Sequence, residues 1–120
     1  MRAVAPSHTS NGQGYVLTSD TIAYFRGHYL DEPQYADWRA SPLLASSLAG
    51  LPPALVLTAG FDPLRDEGRQ YADALSAAGS TAQYVCFERQ IHGFITMGRV
   101  IDEANTAVGL CALALRRALA

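Results

Sequence analysis

The chain contains 120 residues, 49% of them hydrophobic and 17% charged, with a formal net charge of −2; this predicts one small globular domain. The slightly acidic balance, without a cluster of Lys and Arg, argues against binding to nucleic acid. The longest apolar run, residues 107–115, is too short for a membrane span, and residues 1–12 lack the apolar segment of a signal peptide.

The first part of the chain, residues 1–50, is predicted to contain loops and one helical segment. Residues 1–14 are rich in Pro, Ser, Thr, Asn and Gly, which predicts a loop or a frayed start. A helix is expected over residues 21–29, with Ser19 or Asp20 as the N-cap. Its narrow apolar face contains Ile22, Phe25, Tyr29 and Leu30. The polar stretch that follows, as far as Pro42, predicts a loop with a short helical turn.

The second part, residues 51–120, predicts a strand, a helix, a strand and a helix. The strands are expected at 53–60 and 81–88, because the first is a short apolar run between Pro and Gly and the second alternates in polarity. The helices are expected at 61–79 and 99–119. This order predicts an α/β fold with two parallel strands and flanking helices, joined by a right-handed crossover.

The helix at 61–79 has clear start and stop signals. Asp62 can accept hydrogen bonds from the first free N–H groups, and Pro63 suits the first helical position. Gly79 favours the left-handed conformation that ends a helix, and Gly68 permits close approach on the apolar face. The last helix has an apolar stripe, which we expect to be its buried face: Val100, Ile101, Ala104, Val108, Cys111, Leu115 and Leu119.

Two parallel strands leave an apolar edge at 53–59 without a partner. Isolated two-stranded sheets are marginally stable, so these strands are expected to be the end of a larger sheet. Cys86 and Cys111 lie in apolar surroundings and lack metal-ligand spacing, which favours two reduced, buried thiols in a cytoplasmic protein over a disulfide.

Asp62 directly follows the first predicted strand, and His92 follows the second. The carboxyl ends of adjacent parallel strands lie about 5 Å apart at one edge of a sheet, so the two loops can meet. A carboxylate that orients a histidine is part of a hydrolytic triad. Taken singly, Asp62 favours a plain N-cap, and His92 fits a structural loop histidine as well as a functional one. Their joint position at the ends of consecutive strands is what favours a catalytic pair.

The remaining titratable residues favour structural roles. Asp66 and Glu67 fit first-turn charges that complement the helix dipole. His8 lies in the predicted loop and His28 on the first predicted helix, and neither has a partner at metal-ligand spacing. We therefore predict no metal site.

The sequence resembles the hormone-sensitive-lipase-like esterases of the α/β-hydrolase superfamily. The resemblance rests on "LPPALVLTAGFDPLRDEGRQYADAL", residues 51–75, and "FERQIHGF", residues 87–94, with weaker support from residues 14–30 and 40–45. It covers about residues 14–119 and implies the C-terminal part of that fold, preceded by a helical segment near the cap. A peptidase or dienelactone hydrolase of the same superfamily would share the Asp-then-His order, but the segment "DPLRDEG", residues 62–68, favours the esterases.

The resemblance implies a role for five residues. Asp62 matches the triad acid and His92 the triad base. Phe94 matches a packing residue beside the catalytic loop, and Ile22 and Phe25 fall on the helix that lines the acyl pocket. The implied activity is hydrolysis of carboxylic esters with short to medium acyl chains, and it implies no metal or organic cofactor.

The sequence departs from the family pattern in two respects. Arg89 stands where the family usually has a glycine, and because Arg resists a positive φ we expect the His92 loop to be displaced. The ten glycines also include no pair at the G-x-S-x-G spacing of a nucleophile elbow, and the H-G-G-G oxyanion loop is missing. The expectation is therefore a C-terminal portion of an esterase, inactive without a preceding half that carries the serine. The alternative is a non-catalytic module that docks a partner chain on its open strand edge.

Overall fold

A parallel pair of strands forms the centre of the computed structural model, which describes residues 5–120. Strand β1 comprises Ala54–Phe61 and strand β2 comprises Ala82–Ile91. They are joined through a helix, as the sequence predicts, and form a two-stranded sheet among the described residues. The predicted α/β class and the parallel pairing are both confirmed.

The ladder between β1 and β2 is regular at first and irregular near its end. It runs in register from Ala54 opposite Ala82 to Ala59 opposite Phe87, and the next pair is Phe61 opposite Ile91. Between these pairs β1 has one residue, Gly60, and β2 has three, 88–90. A Cβ atom on Gly60 would lie 1.9 Å from the Glu88 carbonyl oxygen, so only glycine fits there. As a result both strands end at the same edge, despite their unequal lengths.

The crossover helix, labelled α3 because two helices precede it, comprises Arg65–Ala77. It begins later than predicted because residues 62–64 form a turn in which Asp62 Oδ1 accepts the Leu64 N–H at 2.8 Å. Gly79 ends the helix region with φ of +81°, as predicted. Gly68 lies against β1, where a Cβ would be 2.5 Å from Thr58 Cγ2. The predicted close approach is therefore real.

The C-terminal helix, labelled α4, comprises Asp102–Leu119 and packs through its smallest residues. Ala104 and Ala107 are completely buried in a core cluster with Ala59 and Phe94. The predicted stripe is partly wrong: Val100, Val108, Leu115 and Leu119 are exposed. Alanines allow the helix to approach closely, so the face that contacts the small sheet is the alanine face. Of the larger residues in the predicted stripe, Ile101 also packs against this cluster.

The N-terminal part of the chain is more ordered than expected. Helix α1 comprises Pro6–Ser10 and lies where the sequence predicts a loop; residues 1–4 of that prediction lie outside the described part. Helix α2 comprises Ser19–Tyr29. Its N-cap is Thr18, whose hydroxyl accepts the Thr21 N–H at 3.2 Å, and not Ser19 or Asp20. The predicted short helical turn is the 3₁₀ turn at Glu32–Ala36, and two 3₁₀ turns that were not predicted lie at Pro42–Leu44 and, after β2, at Phe94–Thr96. Within residues 5–120, no helix is long and apolar enough to cross a membrane.

Replacing Gly60 tests the close approach of the two strands. We expect Gly60→Ala to lower the free energy of unfolding by about 2 kcal/mol or more, because the new methyl group overlaps the Glu88 carbonyl. The matched control is Gly109→Ala, at an exposed position of α4 where nothing lies within 4 Å of the added Cβ. That change should raise stability by up to about 1 kcal/mol. Urea unfolding measures both, and equal stability of the two variants would contradict the close approach.

Candidate active site

Asp62 and His92 meet at the carboxyl edge of the sheet. Asp62 Oδ2 lies 2.8 Å from His92 Nδ1. The Asp62 side chain is 10% exposed and that of His92 is 41% exposed. The two loops therefore converge as the strand order predicts, and the pair lies in a position that is open on the histidine side.

Each carboxylate oxygen of Asp62 has a different partner. Oδ1 accepts the Leu64 N–H at the start of the turn into α3, and Oδ2 contacts His92. The sequence presents an N-cap role and a histidine-partner role as alternatives for this residue. In the structure the N-cap of α3 is Leu64 and no side chain caps it, so Asp62 is not the N-cap. It accepts the Leu64 N–H in the preceding turn and also contacts His92, because a carboxylate can accept hydrogen bonds at both oxygens. Its contact with the turn fixes the direction from which Asp62 faces the imidazole.

This arrangement determines what the imidazole can do. When Nδ1–H donates to a carboxylate, the neutral ring carries its lone pair on Nε2. Among the described residues, no hydrogen bond is made by Nε2 of His92. The ring is thus held from one side and is accessible on the other, which is the geometry of a general base.

The turn that carries His92 is held by its own short contacts. Gly93 adopts φ of +77°, and its carbonyl accepts the Thr96 hydroxyl at 2.9 Å. Phe94 is buried and its ring centroid lies 5.0 Å from that of Phe87. The side chain that follows His92 therefore anchors the loop to the core.

The expected displacement of the His92 loop by Arg89 is not found. Arg89 lies within β2, and among the described residues positive φ values occur only at glycines. The left-handed position in this loop is at Gly93, so Arg89 needs no unusual backbone conformation. The contact between His92 and Asp62 is intact in its presence.

Helix α1 contacts the loop that carries Asp62, which the sequence did not suggest. The Ser7 hydroxyl donates to the Pro63 carbonyl at 2.6 Å and accepts the Asp66 N–H at 3.2 Å. Asn11 Nδ2 donates to the carbonyls of Gly60 at 3.1 Å and Asp62 at 3.3 Å. Ser7 and Asn11 are four residues apart, on one face of a short helix that begins at Pro6. This four-residue spacing of two polar side chains was the signal in the sequence from which a shared contact could have been predicted.

Asp66 links α1 to the start of α3. Its Oδ2 accepts the Ser7 N–H at 2.8 Å and its Oδ1 accepts Arg65 Nε at 2.8 Å. The hydrogen bond from Arg65 is the main cause that lowers the pKa of the Asp66 carboxyl, and the bonds from Ser7 add to it. Asp66 was expected to be a plain first-turn charge, and it also joins two segments of the chain.

The residues expected to contact substrate lie in two different places. Phe94 is beside His92 in the chain, as described. Ile22 lines a groove of about 520 Å³ that contains neither Asp62 nor His92. Phe25 is 61% exposed and its ring packs edge-on against Tyr24. The described residues therefore do not bring Ile22 and Phe25 together with the candidate pair.

The other histidines and the cysteines have local contacts. His8 Nε2 lies 3.5 Å from Glu67 Oε2, and His28 Nδ1 lies 2.9 Å from the Tyr24 carbonyl. Cys86 and Cys111 are free thiols and are half-buried. Across residues 5–120, no group of three or more His, Cys, Asp or Glu side chains could hold a metal ion.

A family model for the alpha/beta hydrolase fold matches residues 1–96 of this chain. The chain belongs to the alpha/beta hydrolase fold family. The resemblance to hormone-sensitive-lipase-like esterases and the fold class predicted from the sequence are thereby confirmed.

Two relatives of this alpha/beta hydrolase chain are named as carboxylic ester hydrolases. It is 49% identical over 88 residues to the carboxylic ester hydrolase LipN of Mycobacterium tuberculosis, a match of 72% of this chain and 23% of LipN. It is 36% identical over 118 residues to the carboxylesterase NlhH of the same species, covering 95% of this chain and 37% of NlhH. The chain thus spans well under half of the length of these relatives.

Solved structures agree with this placement. The thermostable carboxylesterase EstE1, cloned from a metagenomic library, matches all of this chain and 42% of its own, with 40% identity and a TM-score of 0.93. An esterase of Pyrobaculum calidifontis matches 96% of this chain and 38% of its own, with 37% identity and a TM-score of 0.90. The local fold described above is therefore similar to that of a segment of these two esterases.

The pH dependence of stability tests the contacts of Asp66. Its pKa is below the usual 3.8 in the folded chain, so Asp66 stabilises the fold above that value, and the contribution is lost as pH falls through the folded pKa. We expect Asp66→Asn to be less stable than wild type at about pH 5 and to lose less stability on going to about pH 3. Asp73→Asn, at a carboxylate that is 71% exposed, controls for the loss of one surface charge. Unfolding curves with the same pH slope for wild type and Asp66→Asn would contradict the assignment.

Proposed function

We propose that this chain supplies the acid and the base of a carboxylic ester hydrolase. The observation that carries the proposal is the 2.8 Å contact between Asp62 Oδ2 and His92 Nδ1 at the carboxyl ends of two parallel strands. The carboxylesterase activity named for its relatives supports the ester as substrate class. The family resemblance suggests short to medium acyl chains.

In this proposal His92 acts through Nε2. It takes the proton of a serine hydroxyl as the oxygen attacks the ester carbonyl, and later gives that proton to the leaving alcohol. Water then attacks the acyl-serine while His92 accepts its proton, and His92 returns that proton to the serine oxygen as the acyl–oxygen bond breaks, which releases the acid and regenerates the serine hydroxyl. Asp62 keeps the ring in one tautomer and stabilises the imidazolium. The steps need no metal or organic cofactor.

We propose that the serine belongs to polypeptide outside these 120 residues. None of the glycines in the sequence forms the G-x-S-x-G spacing that a nucleophile elbow requires, and there is no H-G-G-G run to supply oxyanion contacts. The chain alone is therefore proposed to be inactive. The proposed compartment is the cytoplasm, because both cysteines are unpaired.

A chimera tests this assignment directly. The chain would replace the matching segment of EstE1, and hydrolysis of a short p-nitrophenyl ester would be measured. We expect turnover in the chimera, and a loss of about 10³-fold or more in kcat/KM for His92→Ala and Asp62→Asn. His28→Ala is the control, since that ring contacts only local groups, and it should change kcat/KM by less than about twofold.

A fluorophosphonate supplies the second arm of the same experiment. We expect a covalent adduct on the chimera and none on the 120-residue chain, as measured by intact mass. An adduct on a specific serine of the chain alone would mean that the chain has its own nucleophile. A folded chimera without turnover would contradict the esterase assignment.

A second candidate function is a non-catalytic module that binds a partner chain at the open edge of its sheet. It is favoured by the two unpaired strand edges among residues 5–120 and by exposed apolar residues of α4 such as Leu115 and Leu119. Under this function the chain should self-associate or aggregate as its concentration rises. Sedimentation as a monomer at all concentrations, with cooperative unfolding, would count against it.

A further inference from the structure

We propose that Asn11 is a positioning residue for the Asp62–His92 pair, a role that rests on the function proposed above. Asn11 is at the end of α1 and is 6% exposed. Its side-chain amide donates to the carbonyls of Gly60 and Asp62, which are 49 and 51 residues further along the chain. Asn11 therefore holds the backbone on both sides of Phe61, immediately before the carboxylate that contacts His92.

The reason for such a residue lies in the irregular end of the strand ladder. Gly60 falls between the last regular pair, Ala59 with Phe87, and the pair of Phe61 with Ile91. The regular hydrogen-bond pattern is interrupted there, and buried carbonyls need donors from elsewhere. Asn11 provides one to each of two carbonyls, and Arg65 provides a second one to each, from Nη1 to Gly60 at 3.1 Å and from its backbone N–H to Asp62 at 3.1 Å.

The link from Asn11 to catalysis passes through the backbone of Asp62. The Asp62 side chain has two ligands of its own, the Leu64 N–H and His92. Without Asn11, the Asp62 carbonyl keeps only the Arg65 N–H at 3.1 Å, so the backbone before Asp62 is held by fewer contacts and is free to shift the carboxylate away from one of these two ligands. Displacements of about 1 Å in a catalytic group can reduce a rate by about 10²-fold. Asn11 touches neither substrate nor the imidazole, so its effect is on orientation.

The tautomer of the His92 ring shows whether Asp62 is correctly oriented, and it can be measured in the chain without catalysis. Contact with the Asp62 carboxylate selects the Nδ1–H tautomer, which ¹⁵N chemical shifts of the ring identify. It also gives Nδ1–H a low-field proton resonance that exchanges slowly with water. We expect both signals in the wild-type chain and a loss of both in Asp62→Asn. That variant is the reference for a His92 ring that has no carboxylate partner.

The test compares Asn11→Ala with a matched control, Ser80→Ala. Ser80 is also buried and donates to a backbone carbonyl, that of Leu48 at 2.7 Å, but it lies at the opposite end of β2 from His92. We expect Asn11→Ala to lose the low-field proton and to shift toward the Nε2–H tautomer, and Ser80→Ala to keep the wild-type spectrum. Asn11→Ala with a wild-type His92 spectrum would overturn the proposal, and so would equal changes in both variants.

Two further measurements cover the case in which Asn11→Ala does not fold. Asn11→Ser leaves a smaller cavity and at most one donor, and its spectrum is read in the same way. In the unmodified chain, the side-chain amide protons of Asn11 should exchange at least about tenfold more slowly than those of exposed Gln13. Equal exchange rates would mean that the amide is not held by the two carbonyls, and would overturn the proposal.

The same variants in the esterase chimera separate this inference from the proposed function. Asn11→Ala should lower kcat about tenfold with little change in KM, because it alters orientation and not substrate binding. A chimera without turnover would sink the esterase assignment, while the ring tautomer in the chain would still decide the role of Asn11. Turnover with an unchanged kcat in Asn11→Ala would remove the positioning role alone.

Discussion

The close contact between the backbones of β1 and β2 at Gly60 is the constraint on which the site depends. A side chain at this position would overlap the Glu88 carbonyl, so the glycine is what lets the strands stay together where their residue counts differ. After it, Phe61 and Ile91 are again opposite each other. The residues that follow these two, Asp62 and His92, start at the same level, which is why a single hydrogen bond can join them.

A second set of contacts stabilises this edge of the sheet and comes from residues near the start of the chain. Ser7 and Asn11 place hydrogen bonds on the carbonyls of Gly60, Asp62 and Pro63, and Asp66 returns a contact to Ser7. These groups are buried, so each unpaired carbonyl or N–H would cost about 1–3 kcal/mol. The short helix α1 is thus part of the scaffold of the candidate site. A helix of five residues is too short to be stable without these contacts.

The outer surfaces of the structure expose apolar side chains and unpaired strand edges. Val108, Leu115 and Leu119 of α4 are exposed, and both outer edges of the described sheet are unpaired. The matched region of this chain spans 23% of LipN and 37% of NlhH. Those longer proteins therefore contain many additional residues that could pack against the corresponding surfaces. The buried core here is made from the alanine face of α4 and the aromatic pair Phe87 and Phe94, which pack next to the candidate histidine.

The sequence alone determined the order of strands and helices, their parallel pairing and the positions of Asp62 and His92 at the strand ends. It could do so because apolar runs, helical spacing and Gly or Pro signals act between neighbouring residues. Only the tertiary structure decided that α1 docks beneath Asp62, that Arg89 leaves the His92 loop in place, and that α4 buries its alanines and not its larger residues. These outcomes depend on contacts between residues about 50 positions apart and on the shape of the two-stranded sheet, which local patterns do not determine; for α1 the only local signal was the four-residue spacing of Ser7 and Asn11.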